Sequence, residues 1–256
     1  MCSSGPMARL FVSHNMTRFI SLFSLLVALL GAPLAGWSAG FGINATRLIY
    51  PEGASSINVT VRNTLSDKPY LVQAAISSKQ DAQTAAPFTV TPPLFRLEPQ
   101  STNQLRIAFT GQPLPGDRES VFYLHATAIP ASTQTDPAQQ RNDVQAQLRF
   151  GVGNIIKLFY RPASLRGSSA AAQKELQFSR VAGGLKVTNS SPYFVSLAAL
   201  RVSGQQLALD TPAALMIPPF GNHIWPVKTP LATGKRVQWQ TINDTGGTDA
   251  FSATLP

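Results

Sequence analysis

Side chains able to do chemistry are few in this chain, and they are scattered. The three histidines, His14, His125 and His223, each stand alone, and the one cysteine is Cys2. No H-E-x-x-H run, clustered carboxylate pair or G-x-S-x-G turn appears, so the residues supply neither a zinc site nor an activated serine. His125 lies on an alternating stretch and reads as a sheet residue rather than a catalyst. Cys2 precedes an apolar leader, so the exported portion has no thiol for a disulfide, a metal or a nucleophile. An enzyme is therefore disfavoured, and neither a cofactor nor a metal is expected.

Charge is the second resource. Lys plus Arg is 21 against 12 Asp plus Glu, a net +9, and only Arg9 and Arg18 of these fall in the first forty residues. Such a balance favours acidic partners or anionic surfaces. Nucleic acid is not expected, because no cluster of Lys and Arg interleaved with aromatics appears. On spacing alone, Arg47 and Lys157 read as solvated charges at strand edges.

The elements that must position these side chains are strands. In Val144–Pro162, VQAQLRFGVGNIIKLFYRP, the residues Val144, Ala146, Leu148, Phe150 and Val152 share one parity and Gln145, Gln147, Arg149 and Gly151 the other. Period two predicts a strand with one apolar and one polar face. Before it come Gly42–Tyr50, Ser56–Asn63, Tyr70–Ile76, Phe88–Thr91, Leu94–Leu97, Gln104–Phe109 and Val121–Ile129. Pro92-Pro93 puts a sheet edge or bend after Thr91, and Pro130–Asp143 is a polar, turn-rich connection. That set suits an immunoglobulin-like sandwich without the Cys…Trp…Cys signature. A second set follows Ala163: Leu176–Val181, Gly184–Asn189, Tyr193–Arg201, Asn222–Val227, Arg236–Ile242 and Ala250–Leu255. Gly167–Ala172 (GSSAAA) sits near the junction or forms a loop of the second set.

The fold expected is all-β: two immunoglobulin-like β-sandwiches, 41–163 and 164–256, behind a leader of residues 1–40. Residues 19–35, FISLFSLLVALLGAPLA, follow Arg18 and suit a signal-peptide core with cleavage between Ala35 and Gly40. The alternative is an uncleaved amino-terminal anchor.

These residues resemble the periplasmic pilus-assembly chaperones, the PapD-like family. The matching stretches are TRLIYPEG (46–53), Pro69-Tyr70-Leu71-Val72-Gln73, FTVTPPLFRLEP (88–99), DRESVFYLHATAIP (117–130), IKLFYRP (156–162), TNSSPYFVSL (188–197) and TINDTGG (241–247). They are collinear and cover nearly all of the mature chain. The resemblance implies two domains set at an angle, like a boomerang, and a non-enzymatic chaperone of the Gram-negative periplasm that works without ATP. Its partners would be pilus subunits, which lack a final strand, and an outer-membrane usher that receives them. It implies that the strand of about 144–158 is lent to the subunit, with Leu148, Phe150 and Val152, and Ala146 at the margin, filling the subunit's apolar groove. It implies that Arg47 and Lys157 bind the subunit's terminal carboxylate, and that Glu119, Arg161 and Asp244 form an interdomain ion network. A cis Thr91-Pro92 bond is a further family feature. The short, cysteine-free Pro130–Asp143 loop resembles the subclass that serves rod-like pili.

Two departures stand out: Ala75 replaces a tryptophan common in relatives, and Thr245 replaces a tyrosine. Phe150 is bulky for a donated row and would tune which subunits fit. An unliganded strand edge also invites capping by a second copy. The competing reading is a secreted two-domain adhesin or pilus component using the same folds, against which the Arg47 and Lys157 match argues.

Overall fold

A computed structural model describes residues 40–130, 151–227 and 230–256. The leader, the 131–143 part of the polar connection and three expected donor residues, Ala146, Leu148 and Phe150, lie outside the described residues.

The first sandwich is built from nine strands. They are β1 (Phe41–Ile43), β2 (Arg47–Pro51), β3 (Ile57–Asn63), β4 (Tyr70–Ser77), β5 (Phe88–Thr91), β6 (Leu94–Leu97), β7 (Ser101–Phe109), β8 (Ser120–Pro130) and β9 (Val152–Arg161). One sheet runs β1-β3-β7-β5 and the other β2-β9-β8-β4-β6. Alternation decides which faces turn inward. Phe122, Leu124, Ala126 and Ala128 of β8 are buried, as are Val59 and Val61 of β3 and Leu105 and Ile107 of β7. Tyr50, Phe88, Phe109, Phe122 and Tyr160 form an aromatic cluster at one end of the core, with neighbouring ring centroids 5.0–6.4 Å apart. Buried Tyr50 keeps its hydroxyl satisfied by donating to the Ala54 carbonyl at 2.7 Å and accepting from the Phe109 amide at 3.1 Å. The Thr91-Pro92 bond is cis.

One expectation needs correcting here. Gly42–Tyr50 is not one strand but two, in different sheets. The Asn44 amide donates to the Thr60 carbonyl, and the chain then leaves β3 to run parallel to β9 as β2. The inward parity flips at the crossing, from Phe41, Ile43 and Ala45 to Leu48 and Tyr50, a slip that a single strand does not make, but the unbroken apolar run Leu48-Ile49-Tyr50 blurs it in the sequence.

The second sandwich contains β10 (Gln177–Val181), β11 (Gly184–Thr188), β12 (Val195–Val202), β13 (Gln205–Gln206), β14 (Met216–Ile217), β15 (Asn222–Pro226), β16 (Arg236–Ile242) and β17 (Thr248–Thr254). Its sheets run β10-β11-β15 and β13-β12-β16-β17, with β14 beside β12. Leu185, Val187, Leu197, Leu200, Trp225 and Trp239 lie at the centre of a separate core. The GSSAAA segment is neither a linker nor a loop but opens helix α1 (Ser169–Lys174). Ser168 accepts from the Ala171 amide as its cap, and the alanine run that follows favours the helix. Buried Gln173 then ties α1 to β16, accepting from Trp239 Nε1 at 2.9 Å through its carbonyl and from Thr241 Oγ1 at 2.6 Å through its side chain. A second short helix, α2, spans Pro212–Leu215.

Each sandwich carries the same polar clamp. Asn63, at the end of β3, donates to the carbonyls of Lys68, Leu97 and Glu98 and accepts from the Leu65 amide. Asn189, just after β11, donates to those of Tyr193, Ile217 and Pro218 and accepts from Ser191. Removing such a side chain strands several buried carbonyls. Asn189→Ala is expected to cost about 2–3 kcal/mol, read as a lowered midpoint in urea unfolding.

Candidate functional site

Strand β9 is paired differently on its two sides. It runs antiparallel to β8 along its whole length, from Val152 opposite Ala128 to Tyr160 opposite Ser120. On the other side β2 joins only where Arg47 meets Lys157. Among the described residues, no strand covers that side of Val152–Ile156. The open half carries exposed apolar side chains, with Val152 46 % and Ile155 47 % accessible. Along the even-numbered face burial deepens from Val152 through Ile156 to the fully buried Leu158. Of the residues expected to form the donated row, only Val152 is described, and it stands exposed at the start of this face.

Arg47 and Lys157 are neighbours in register, although 110 positions separate them in the chain. The Arg47 guanidinium lies 5.8 Å from the Phe159 ring centroid and donates through Nη1 to the Ile242 carbonyl at 2.7 Å. Its Nε is buried without an acceptor. Burial lowers its pKa, and the more distant Asp244 and Glu119 only partly offset that. Burial together with the Arg47 charge brings Lys157 down to about 8. None of the ion pairs among the described residues includes either side chain. Two desolvated cations with no directly paired carboxylate among the described residues make a site that an anion would stabilise, and a carboxylate can use both the fork of Arg47 and the point charge of Lys157.

Glu119, Arg161 and Asp244 come together between the two sandwiches. Arg161 Nε meets Glu119 Oε1 at 2.6 Å, while Nη1 and Nη2 meet the two oxygens of Asp244 at 2.7 and 3.1 Å. Glu119 Oε2 accepts from the Phe194 amide at 2.8 Å, and Ser169 Oγ donates to Asp244 Oδ2 at 2.8 Å. The Tyr193 ring lies 5.3 Å from the Arg161 guanidinium. The environments split the two carboxylates. Burial raises Glu119 in spite of its ion pair, whereas hydrogen bonds from Arg161 and Ser169 outweigh burial and hold the more exposed Asp244 below its usual range. Burial lowers Arg161, but bonds to both carboxylates overcome it and its pKa rises.

Further contacts join the sandwiches. Phe159 packs on Phe194 with centroids 5.7 Å apart, and Arg118 lies 5.1 Å from the Phe220 ring. Gly246 has φ +88°, and a Cβ there would collide with Thr46 Oγ1, so glycine lets the β16–β17 turn approach the start of β2. Sequence reasoning gave no role to Ser169, Tyr193, Phe194 or the Ile242 carbonyl. Tyr193, Phe194 and Ile242 fall in stretches that resemble the family, and that resemblance is the available signal. Of the three histidines, His14 lies outside the described residues, His125 Nε2 is 3.3 Å from the Lys79 carbonyl, and His223 packs edge-on to Trp225. Beside the open half of β9 lies a cleft of about 470 Å³ between Lys79, Asp81, Tyr123 and Ile155 on one side and Pro212 of α2 on the other.

Comparison with known proteins places this architecture. Residues 40–166 match the pili and flagellar-assembly chaperone PapD N-terminal domain, and residues 171–253 match the PapD C-terminal domain. The probable fimbrial chaperone protein ElfD of Escherichia coli strain K12 is 35 % identical over 227 residues, 89 % of this chain and 91 % of that protein. A structure of the Salmonella enterica SafA pilin in complex with the SafB chaperone matches with a TM-score of 0.70 and 30 % identity, covering 86 % of this chain and 99 % of that one. The periplasmic chaperone SfaE matches with a TM-score of 0.66 and 30 % identity, covering 84 % and 99 % of the two chains. Fimbrial chaperones of this family are periplasmic. With both domains matched in order and a relative this similar along most of its length, the chain belongs to the PapD-like family of pilus-assembly chaperones.

Proposed function

We propose that this protein captures incomplete pilus subunits in the Gram-negative periplasm, completes their sandwich with its strand of about 144–158, and passes them to an outer-membrane usher. The naming of ElfD as a probable fimbrial chaperone and the SafA pilin bound to SafB support a pilus subunit as the partner. The observation that carries the reading is the cation couple, Arg47 and Lys157, which forms no ion pair among the described residues and sits at the foot of a strand edge that no described strand covers. A subunit's terminal carboxylate supplies the missing charge.

That anchor also sets direction. The guest strand ends where β2 begins and extends back beside Val152, so it runs parallel to β9. Backbone pairing along the edge serves any subunit, while Ala146, Leu148, Phe150 and Val152 fill its groove. Each large apolar anchor contributes roughly 1.5–3 kcal/mol, and a one-residue slip turns the row away from the groove. The Glu119–Arg161–Asp244 cluster fixes the angle between 41–163 and 164–256 and so the shape of the cleft. Export uses a cleaved signal peptide of the 1–40 leader. Release draws on the subunit's better-packed final state rather than on ATP. Unliganded copies cap one another through the same edge, and the short 130–143 connection assigns the protein to the subclass serving rod-like pili.

Co-expression with the subunits encoded beside the gene tests this. Wild type is expected to co-purify one-to-one with a subunit, and Phe150→Asp to lose it while keeping its own unfolding midpoint. Undiminished capture by Phe150→Asp contradicts strand donation.

A further inference from the structure

We infer that Asn154 is a specificity-determining residue of this edge, its Nδ2 donating to a side-chain oxygen near the end of the docked subunit strand. The inference rests on the docking reading above. Asn154 lies within the half of β9 that β2 leaves uncovered, opposite Ala126 of β8. It shares a face with Val152, which is exposed, and with Ile156, which packs on the first core. Its Nδ2 is shielded from water yet has no acceptor among the described residues.

The strand beside it supplies none among the described residues. The β8 residues on the same face are Leu124, Ala126 and Ala128, all buried and apolar. The open side of β9 is where a docked strand brings an acceptor. A buried donor without an acceptor carries a penalty that a suitably placed oxygen removes. An apolar side chain in that place leaves the penalty standing, so the amide discriminates by what it lacks as much as by what it binds.

Register narrows the position. Arg47 occupies the place opposite Lys157, so a parallel guest strand must stop short of it. Asn154 is three residues earlier on β9, beside the second or third residue from the guest's carboxyl end. Subunits with threonine, serine, asparagine or glutamine there are preferred over those with valine or leucine.

The test uses the full chain and a soluble ten-residue strand peptide with a free carboxyl end and valine at its last four positions. Single Val→Thr peptides, which keep shape and add an acceptor, are titrated calorimetrically against wild type and Asn154→Leu. Wild type is expected to prefer threonine over valine about ten-fold at one position. Asn154→Leu, which can neither donate nor accept, is expected to lose that preference. No preference in wild type, or one that survives in Asn154→Leu, overturns the inference while leaving carboxylate-dependent docking intact. A peptide amide that binds as tightly as the acid overturns the docking reading itself.

Discussion

Lys157→Met is expected to abolish subunit capture, weakening it at least about 100-fold, while leaving the protein as stable as wild type or more so. The two halves of that expectation have one cause. Lys157 carries a charge in a mostly buried place beside a second cation, which lowers its pKa from 10.5 to about 8. Held without an anion, that charge opposes folding by roughly 3 kcal/mol at neutral pH, an upper figure because the ammonium keeps some water. Methionine keeps the packing and removes the charge.

The pH dependence has a definite sign. Below pH 8 both folded and unfolded chains hold the proton, and the penalty is present in full. Between about 8 and 10.5 the folded chain has lost a proton that the unfolded chain keeps, so wild-type stability rises with pH. Lys157→Met is expected to lack this rise in urea unfolding. Subunit affinity moves oppositely, falling about ten-fold per unit above pH 8, because the carboxylate needs the charged amine. A variant that loses stability together with capture indicates that Lys157 is a packing residue.

Arg161→Ala is expected to destabilise the protein by about 3–5 kcal/mol, far more than an exposed ion pair at 0–1 kcal/mol. The reason is Glu119, whose side chain is 2 % accessible. Once Arg161 is gone, Glu119 retains, among the described residues, only the Phe194 amide as a donor. Burial already raises its pKa with Arg161 present, and removing the guanidinium raises it further. An acid with a raised folded-state pKa loses stability as pH climbs from its ordinary value through the raised one. The deficit of Arg161→Ala is therefore expected to be largest at pH 7 and to shrink by pH 5 as Glu119 takes up a proton. Adding Glu119→Gln should restore much of the loss at pH 7. A deficit below 1 kcal/mol that ignores pH contradicts this role for the cluster.

Much of the fold was legible because burial on one face leaves a period-two record. β3, β7 and β8 each show it, and their inward residues are those the alternation selects. The crossing at Asn44–Thr46 left a fainter record, a change of inward parity from Phe41, Ile43 and Ala45 to Leu48 and Tyr50, which the adjacent apolar Ile49 obscures. Helix α1 was obscured because GSSAAA resembles a flexible linker in composition, and its Gln173 anchor acts only once β16 is in place, although the local Ser168 cap on Ala171 was there to be read. The candidate site was legible in type but not in placement. Arg47 and Lys157 are ordinary surface charges until β2 crosses to β9 and sets them side by side. Asn154 stood as one amide in an apolar row, and only its neighbours reveal that Nδ2 lacks an acceptor. Ala146, Leu148 and Phe150 lie outside the described residues, so their part rests on alternation and family resemblance.

The most direct measurement is a calorimetric titration of the full chain with one peptide in two forms. It carries the last ten residues of a co-encoded pilus subunit, once with a free carboxyl end and once amidated. Anchoring at Arg47 and Lys157 predicts that amidation weakens binding at least about 100-fold, and that Lys157→Met makes the two forms indistinguishable. Equal affinity of the two forms for wild type would contradict the carboxylate anchor, and with it the direction and register assigned to the docked strand.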